Sequence, residues 1–373
     1  MIRNFDIHNF KNHADTSLDF GNLTILTGIN GMGKSSVLQS MLILREAYFK
    51  SPRMRVLPLD GESFIVSGAA ALVNRNVSEE QDKLKLKIRT DDDVYTFEYS
   101  YPTLDANELE GNWCSESDNR SDLKSVSLFS DNFQYLSAFR IGPQSVYGSN
   151  TGVVDKHRQL SQKLGQGEFA VYYLNKFAHE RIGIRELAYD NSNSLALKSQ
   201  VELWMGEISD GVKLQIDQNG NQYELKFGYE LQGKTTVYHS ALNTGYGISY
   251  VLGLVVAILS AQPGALILIE NPEAHIHPSG QSALMRLISL AAANGIQIIL
   301  ETHSDHIING ALVNWKQNKF DRNLLSIYYF DRDEKLNAHP VRLTVGENGR
   351  IQKTPAGFFD QMRADLEVLF DLE

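Results

Sequence analysis

Apolar and polar positions repeat at both ends of the chain with the periods of strands and helices. Residues 1–30 are predicted to form two or three strands, and the last of these is the apolar run Leu23–Thr27. Apolar residues then recur at helical spacing from Lys34 to Tyr48. From residue 240 onwards the pattern predicts alternating helices and buried strands, at Ser249–Leu259, Ala265–Ile269, Gln281–Ala293 and Ile296–Leu300.

The middle of the chain follows a different pattern. Strict alternation in Lys83–Ile88 and in Val94–Tyr99 predicts a β-hairpin with one face in water. A second hairpin is predicted around Asn219-Gly220, because strand-like segments flank this turn pair. Further elements are predicted as a surface loop at Asp105–Asp122, a strand at Phe133–Ala138 and a helix at Glu168–His179.

These patterns predict an α/β fold with a mixed sheet around a parallel core. We predict an amino-terminal lobe at 1–150, an inserted helical and β lobe at 151–239, and a carboxy-terminal lobe at 240–373. The chain has 373 residues, of which 42% are hydrophobic, enough for a sizeable core. Its single cysteine, Cys114, excludes a disulfide framework within one chain.

Neither a membrane segment nor a secretion signal is predicted. The nearest apolar run, Val251–Ala261, is shorter than the roughly 20 residues that span a bilayer. The first residues, Met1–Phe5, lack the apolar core of a signal peptide, so we expect a cytoplasmic protein. The net charge of −10 argues against electrostatic binding of nucleic acid by the whole molecule.

A complete phosphate-binding motif lies between the last apolar strand and the first helix. The segment Gly28–Ser35 has glycines at both ends of a six-residue loop, followed by lysine and serine. Backbone amides of such a loop and the following helix start bind phosphate oxygens, the lysine reaches the β- and γ-phosphates, and the serine ligates magnesium. The alternative is a glycine-rich turn that matches by accident. We predict an ATP and Mg²⁺ site that includes Asn30, Gly31, Gly33, Lys34, Ser35 and Ser36.

Carboxylates follow the buried strand predicted at Ala265–Ile269. Glu270 comes directly after it, where a carboxylate can hold magnesium directly or through water. A lone carboxylate at the end of an apolar strand is costly without a partner. We therefore predict that Glu270 binds metal together with Ser35. Glu273 is a second candidate for the chemistry, and its alternative role is capping the next helix.

A histidine, His303, follows the next buried strand. At this position it can hydrogen-bond the γ-phosphate and report whether that phosphate is present, although a lone histidine is more often structural. The close spacing of Glu273, His275 and His277 also raises the alternative of a zinc site. Pro272 and Pro278 argue against it, because they break the helix that an i, i+4 ligand pair needs.

A second glycine cluster precedes the apolar helix predicted at Ser249–Leu259. Gly245, Gly247 and Ser249 would form another amide-rich helix start, here called the signature segment (Gly245–Ser249). The chain has one triphosphate loop, so this second start suggests a site that another subunit completes. The alternative is a tight loop with a capping serine.

In this order the motifs resemble ABC-type ATPases of the RecF, SMC and OLD group. One branch of small prokaryotic members shows similar segments. These segments are Leu136–Gln144, Glu270–Pro278, Glu301–His306 and, near the end, Gly357–Gln361.

The resemblance implies an ABC-type head that forms a homodimer or higher oligomer, with two ATP molecules between each glycine loop and the opposing signature segment. It also assigns Gln144 to the nucleotide site, and it implies an effector partner, a nuclease or toxin, in phage defence. OLD nucleases carry a further metal-binding domain, and the short stretch after His303 leads us to expect none here. DNA is a possible partner through Lys11, Lys50, Arg53 and Arg55, which could equally be solvated surface.

Two departures from the family pattern bear on turnover. Asn271 stands where many ABC ATPases have the glutamate that activates water, and an amide cannot accept a proton as a general base. Phe139 replaces the glutamate of the branch pattern. We therefore expect slow ATP hydrolysis, with a nucleotide-binding sensor or scaffold that has lost hydrolysis as the alternative. A transporter motor subunit is disfavoured, because the signature segment lacks the transporter sequence.

Overall fold

The computed structural model describes residues 1–63, 65–74, 83–101, 103–117, 122–231, 234–317, 321–355, 358 and 368–369. The carboxy-terminal motif at 357–361 lies outside these residues, apart from Phe358.

Among the described residues the strands are β1 (Ile2–Phe10), β2 (His13–Asp19), β3 (Leu23–Gly28), β4 (Val56–Pro58), β5 (Lys83–Thr90), β6 (Val94–Ser100), β7 (Glu108–Ser115), β8 (Phe133–Leu136), β9 (Val212–Asn219), β10 (Gln222–Leu231), β11 (Lys234–Thr235), β12 (His239–Ser240), β13 (Leu266–Glu270), β14 (Gln297–Glu301), β15 (Leu325–Arg332) and β16 (Ala338–Arg342). The α-helices are α1 (Lys34–Lys50), α2 (Ala170–Lys176), α3 (Leu197–Ile208), α4 (Tyr246–Ser260), α5 (Pro278–Ala293) and α6 (Asp305–Lys316). Short 3₁₀ turns lie at Ala69–Ala71, Leu123–Ser125, Ser127–Phe129, Arg185–Leu187, Ala241–Asn243 and Arg322–Leu324, and a π-helical turn lies at Gly152–Lys156.

The central sheet has the strand order β16-β15-β3-β14-β13-β8. All neighbours in it pair in parallel except β15 and β16, which are antiparallel. Strand β3, which leads into the glycine loop, lies between β14 and β15. The mixed sheet with a parallel core confirms the predicted α/β class. Because the strands are parallel, the segments that follow β3, β13 and β14 meet at one edge.

The two faces of this sheet are covered by different layers. Ile25, Ile267 and Ile298 join an apolar cluster with helices α2 to α6, whereas Leu26 and Leu268 pack with α1 on the other face. A strand buried on both faces reads as a continuous apolar run, which is why β3, β13 and β14 could be recognised from sequence.

A second sheet packs on the α1 side and has the order β2-β1-β5-β6-β7-β4. The predicted hairpin is confirmed as β5 and β6, but the surface loop predicted at Asp105–Asp122 is wrong over most of its described part. Strand β7 lies there, paired with β6. Trp113 packs on the rings of Tyr95 and Phe97, and Gly111 lets β6 approach, because a Cβ there would lie 2.0 Å from the Glu98 carbonyl oxygen.

The segment 151–239 contributes α2, α3 and the predicted hairpin, seen as β9 and β10. Its apolar residues belong to the same hydrophobic core as those of α4 and α5, so this core extends across the predicted boundary at residue 240. The division into three lobes stays a prediction. Helix α2 is shorter than predicted, and α4 begins three residues before the predicted start. In the described part of the chain, no helix combines the length and apolarity needed to cross a membrane.

Candidate functional site

The glycine loop bends in a way that only glycine tolerates well. Gly28, Gly31 and Gly33 have φ angles of 129°, 76° and 101°. Gly28 also touches the neighbouring strand, since a Cβ there would lie 2.4 Å from the Phe330 carbonyl oxygen. Helix α1 begins directly after Gly33 and has no side-chain cap, so its first amides are free to bind an anion.

Lys34 is folded back onto the loop that it follows. Its side chain is 2% exposed, and its ammonium group donates to the carbonyls of Gly28 at 2.9 Å and Ile29 at 2.8 Å. Burial lowers the pKa of Lys34, and the nearby carboxylate of Glu301 opposes this. The charge therefore lies inside the loop, where a phosphate chain would offer better acceptors than two neutral carbonyls.

Three side chains brace the loop from beneath, and sequence reasoning missed all of them. His13 Nε2 lies 3.0 Å from the Gly33 carbonyl oxygen, Asn12 Nδ2 donates to the Gly31 carbonyl at 3.3 Å, and Arg332 Nε lies 3.0 Å from the Met32 sulfur. Burial lowers the pKa of His13 to about 4, so the ring is neutral. Since a carbonyl only accepts, Nε2 carries the proton.

Glu270 ends β13 and has both oxygens engaged. Tyr135 Oη donates to Oε1 and the Ala138 backbone amide donates to Oε2, each at 3.0 Å. Both donors come from β8 and the segment after it, beside β13 in the sheet. The predicted metal ligand is thus already hydrogen-bonded on each oxygen.

Arg140 joins the end of β13 to the segment after β8. Its guanidinium donates to the Ser137 and Glu270 carbonyls, both at 2.6 Å, and to the Asn271 carbonyl at 2.8 Å. Asn271 has a φ angle of 44°, and this clamp holds its backbone in the left-handed conformation. Burial lowers the pKa of Arg140 to about 10, which leaves it charged at neutral pH. The adjacent Phe139 side chain is exposed.

Glu273 connects the two acidic segments of the site. It accepts from the Thr302 hydroxyl at 2.9 Å and from the His303 backbone amide at 2.8 Å. It does not cap α5; that is done by His277, whose Nδ1 accepts from the Ser279 amide. The capping alternative for Glu273 is therefore wrong, and its observed contacts position the segment that carries His303.

Glu301 ends β14, directly between the strands that carry the glycine loop and Glu270. Glu301 was not among the site residues predicted from the sequence. Its Oε1 lies 4.0 Å from Lys34 Nζ and 4.0 Å from His303 Nε2. Its pKa is raised to about 7, chiefly by burial, although the Ser35 hydroxyl and the Lys34 charge oppose the shift. Burial and the charge of Lys34 lower the pKa of His303.

The signature segment forms the first turn of α4. Gly245 and Tyr246 are exposed, whereas the Ser249 hydroxyl is buried beside Tyr147. Gly247 lies tightly against the chain after β13, because a Cβ there would lie 2.0 Å from the His275 carbonyl oxygen. Nucleotide binding by this segment stays a prediction, and the structure presents its backbone rather than its serine.

The observed contacts of three other predicted residues are with residues outside the glycine loop. Gln144 donates through its side chain to the Gly142 carbonyl, and its amide donates to Tyr147. His275 packs against the Tyr250 ring. Lys11, a candidate for DNA, donates to Gln39 and is partly buried.

The structure therefore brings together the glycine loop, Ser35, Glu270, Glu273 and His303 at one sheet edge, and adds Glu301 to them. Within the described residues, no three histidine, cysteine or acidic side chains form a group that could hold a metal ion alone. Magnesium at a nucleotide does not need one, since phosphates and waters supply most of its ligands.

Comparison with solved structures shows the head fold. A crystal structure of an Smc head bound to the C-winged helix domain of ScpA aligns with a TM-score of 0.56 and 13% identity, over 92% of this chain and 98% of that one. An SMC head domain from Thermotoga maritima aligns with a TM-score of 0.50 and 10% identity, over 92% and 99%. An Smc head domain with an extended coiled coil, bound to the C-terminal domain of ScpA derived from Pyrococcus furiosus, gives 0.51 and 13%, over 100% and 99%.

No curated protein matches the chain. A family model described as "Protein of unknown function (DUF3696)" matches residues 321–369. A second model, described as "AAA domain, putative AbiEii toxin, Type IV TA system", matches residues 23–309, which include the glycine loop and all three strand ends of the site. With most of its length matched and an SMC-like head fold, the chain is a P-loop ATPase-type protein and belongs to this AAA-domain family.

Proposed function

We propose that this protein is an ATPase head that binds ATP with magnesium, pairs with a second copy around the nucleotide and controls an effector protein. The observation that carries the proposal is Lys34, whose charge lies buried on the loop carbonyls at the edge where Glu270, Glu301 and His303 meet. A phosphate chain in the loop would meet the α1 amides and the lysine together.

The residues fit the nucleotide and its metal. The glycine loop and α1 amides would hold the phosphates, and Ser35 with a carboxylate would hold magnesium, which supplies charge neutralisation at the phosphates when bound. His303, whose backbone amide donates to Glu273, would contact the terminal phosphate. Asn30, Gly31 and Ser36 line the same loop and helix start. We expect hydrolysis to be slow, because Asn271 offers no general base.

The partner proposals rest on similarity. The Smc heads in two of the matched structures are bound to domains of ScpA, which supports a protein partner for this head. The matched family's description names a toxin system. We propose that the effector is a nuclease or toxin acting in phage defence, in the cytoplasm. DNA contact through Lys50, Arg53 and Arg55 belongs to the same proposal and would show as a strongly salt-dependent affinity.

Lys34→Ala tests the proposal. Wild-type protein is expected to bind a fluorescent ATP analogue, to form dimers with ATP in light scattering, and to release phosphate slowly. The variant should lose all three, because it lacks the cation that holds the phosphates. Lys50→Ala, at the far end of α1, is the matched control and should behave like wild type. Equal binding by Lys34→Ala and wild type would refute nucleotide binding at this loop.

Asn271 favours a second candidate, a sensor that binds ATP and does not hydrolyse it. Arg140 holds the Asn271 backbone in place, so a side chain at this position has a defined direction. In this case the wild type should keep bound ATP intact over hours, and Asn271→Glu should introduce turnover. Measurable phosphate release by wild type that Lys34→Ala abolishes would exclude the sensor.

A further inference from the structure

A cavity lies between helix α1 and strand β8, and the glycine loop is not part of its wall. It has a volume of about 240 Å³, and its wall includes Arg45 and Phe49 of α1 and Phe133 and Tyr135 of β8. We call it the α1–β8 cavity. It has room for a small molecule, although it is smaller than the roughly 300–1,000 Å³ typical of sites for drug-sized ligands.

Arg45 has one edge of its guanidinium in use and the other edge open. Nη1 donates to the Leu128 carbonyl at 2.6 Å and to the Ser130 carbonyl at 2.8 Å. The guanidinium carbon lies 4.5 Å from the centre of the Phe49 ring and 4.1 Å from that of Phe133. Among the described residues, Nε and Nη2 have no hydrogen-bond partner, and neither atom is enclosed. This edge is therefore available to a ligand in the α1–β8 cavity.

The charge of Arg45 is not matched by an ion pair within the part of the chain that the structure describes. Burial lowers the pKa of Arg45 to about 9, against the charges of Asp131 and Glu46, so the group stays charged at neutral pH. The three carboxylates around the cavity each have a partner of their own, in the pairs Glu46–Ser63, Glu62–Gln162 and Asp131–His157. A half-buried cation without a counter-ion is costly, and an anionic ligand would remove that cost.

The shape and charge of the cavity select among anions. Nε and Nη2 form a planar pair of donors, which a carboxylate can accept through both of its oxygens. The rings of Phe49 and Phe133 hold the guanidinium plane, so little freedom is lost on binding. The neighbouring carboxylates repel a doubly charged group such as a phosphate monoester more than a singly charged one. Val153 and Tyr135 add apolar wall for the body of the ligand.

We propose that the α1–β8 cavity binds a small organic monocarboxylate through the open Nε and Nη2 edge of Arg45. The site is separate from the proposed ATP site and does not depend on it, because Lys34 and the loop amides are not part of its wall. The ligand would nevertheless lie against Tyr135, whose hydroxyl donates to Glu270 at the nucleotide edge of the sheet.

The test uses para-fluorobenzoate as the probe and its neutral analogue para-fluorobenzamide as the control, with binding followed by fluorine NMR. Wild-type protein should bind the benzoate saturably and at least about 10-fold more tightly than the benzamide, because the amide lacks the charge and the second acceptor oxygen. Equal affinity for the two compounds, or no saturable binding of the benzoate, overturns the proposal.

Two arginine variants locate the binding. Arg45→Met keeps much of the side-chain length and should weaken benzoate binding by on the order of 10–100-fold. Arg53→Met, at an exposed arginine just beyond α1, is the matched control and should bind like wild type. Lys34→Ala should also bind like wild type. Loss of benzoate binding in Lys34→Ala would place the anion in the glycine loop and overturn the proposal.

A space-filling variant covers the case in which Arg45→Met does not fold, since Arg45 also holds two carbonyls. Val153 lies half-buried in the cavity wall, and Val153→Phe would narrow the cavity with Arg45 intact. This variant should lose most of its benzoate affinity while its thermal unfolding stays near wild type. Wild-type benzoate affinity in Val153→Phe, or in a folded Arg45→Met, overturns the proposal and leaves the proposed ATP binding untouched.

Discussion

The glycine loop and the signature segment are two helix starts built differently. Each is led by a glycine and neither has a side-chain cap. Gly33 has a φ angle of 101° and stands above His13, whereas Gly245 has a φ angle of −60° and is exposed. The first is a loop whose backbone shape is fixed and braced by side chains, and the second is an open surface. We therefore expect the loop to bind nucleotide in a single subunit and the signature segment to act only after pairing.

The largest effect should come from Gly33→Ala. The backbone there is left-handed, and a Cβ would lie 2.9 Å from His13 Nε2 and 3.0 Å from Ala338 Cβ. Strain of about 3 kcal/mol would weaken ATP binding by on the order of 100-fold. Isothermal titration of the single subunit measures it. Gly31→Ala is the control for strain without a clash, since no atom lies within 4 Å of its Cβ, and a similar loss there would show that backbone conformation alone decides binding.

An intermediate effect is expected when the brace is removed by His13→Asn. The histidine has a pKa of about 4 in the folded state against 6.5 for the free side chain, so the unfolded chain takes up the proton more readily. The stability due to this group is complete above pH 6.5 and is lost progressively as the pH falls towards 4.

The variant cannot titrate at this position. Urea unfolding between pH 7 and pH 4.5 should therefore show a smaller acid-induced loss for His13→Asn than for wild type. Other groups titrate in both proteins, so the difference between the two curves is the quantity to follow. Parallel pH profiles would mean that His13 is not kept neutral by burial.

The smallest effect is expected from Ser249→Ala. The hydroxyl is buried beside Tyr147 rather than exposed with Gly245 and Tyr246. Single-subunit ATP binding should not change, and ATP-dependent pairing should change by less than about twofold, because a buried hydroxyl contributes little across a surface. Sedimentation with ATP checks this. A loss of pairing would show that the serine turns outward when nucleotide binds, as the family resemblance implies.

How well each segment could be predicted from the sequence depended on how regularly its apolar residues are spaced. Strands β3, β13 and β14 are apolar runs, and the glycine loop is a motif with a fixed backbone shape, so all four were recognised. Strand β7 was missed because its apolar positions are few and Gly111 and Cys114 interrupt them; Trp113 is recognisable as a core contact only beside β6.

The site was predicted less completely than the fold. Glu301, like Glu270, is a carboxylate at the end of an apolar strand. The local sequence pattern does not predict that β14, rather than β13, lies next to β3 in the sheet. The brace by His13 and the clamp by Arg140 join residues 20 and about 130 positions apart. Such contacts follow from topology, which periodicity does not encode.

The position of β15 has a consequence for synthesis of the chain. Strand β3 emerges early, yet its two neighbours in the sheet are formed by residues 297–301 and 325–332. Until the ribosome has made β15, about 300 residues after β3, the glycine loop lacks the strand that packs against Gly28. Premature termination before β15 should therefore release a product unable to compete for ATP.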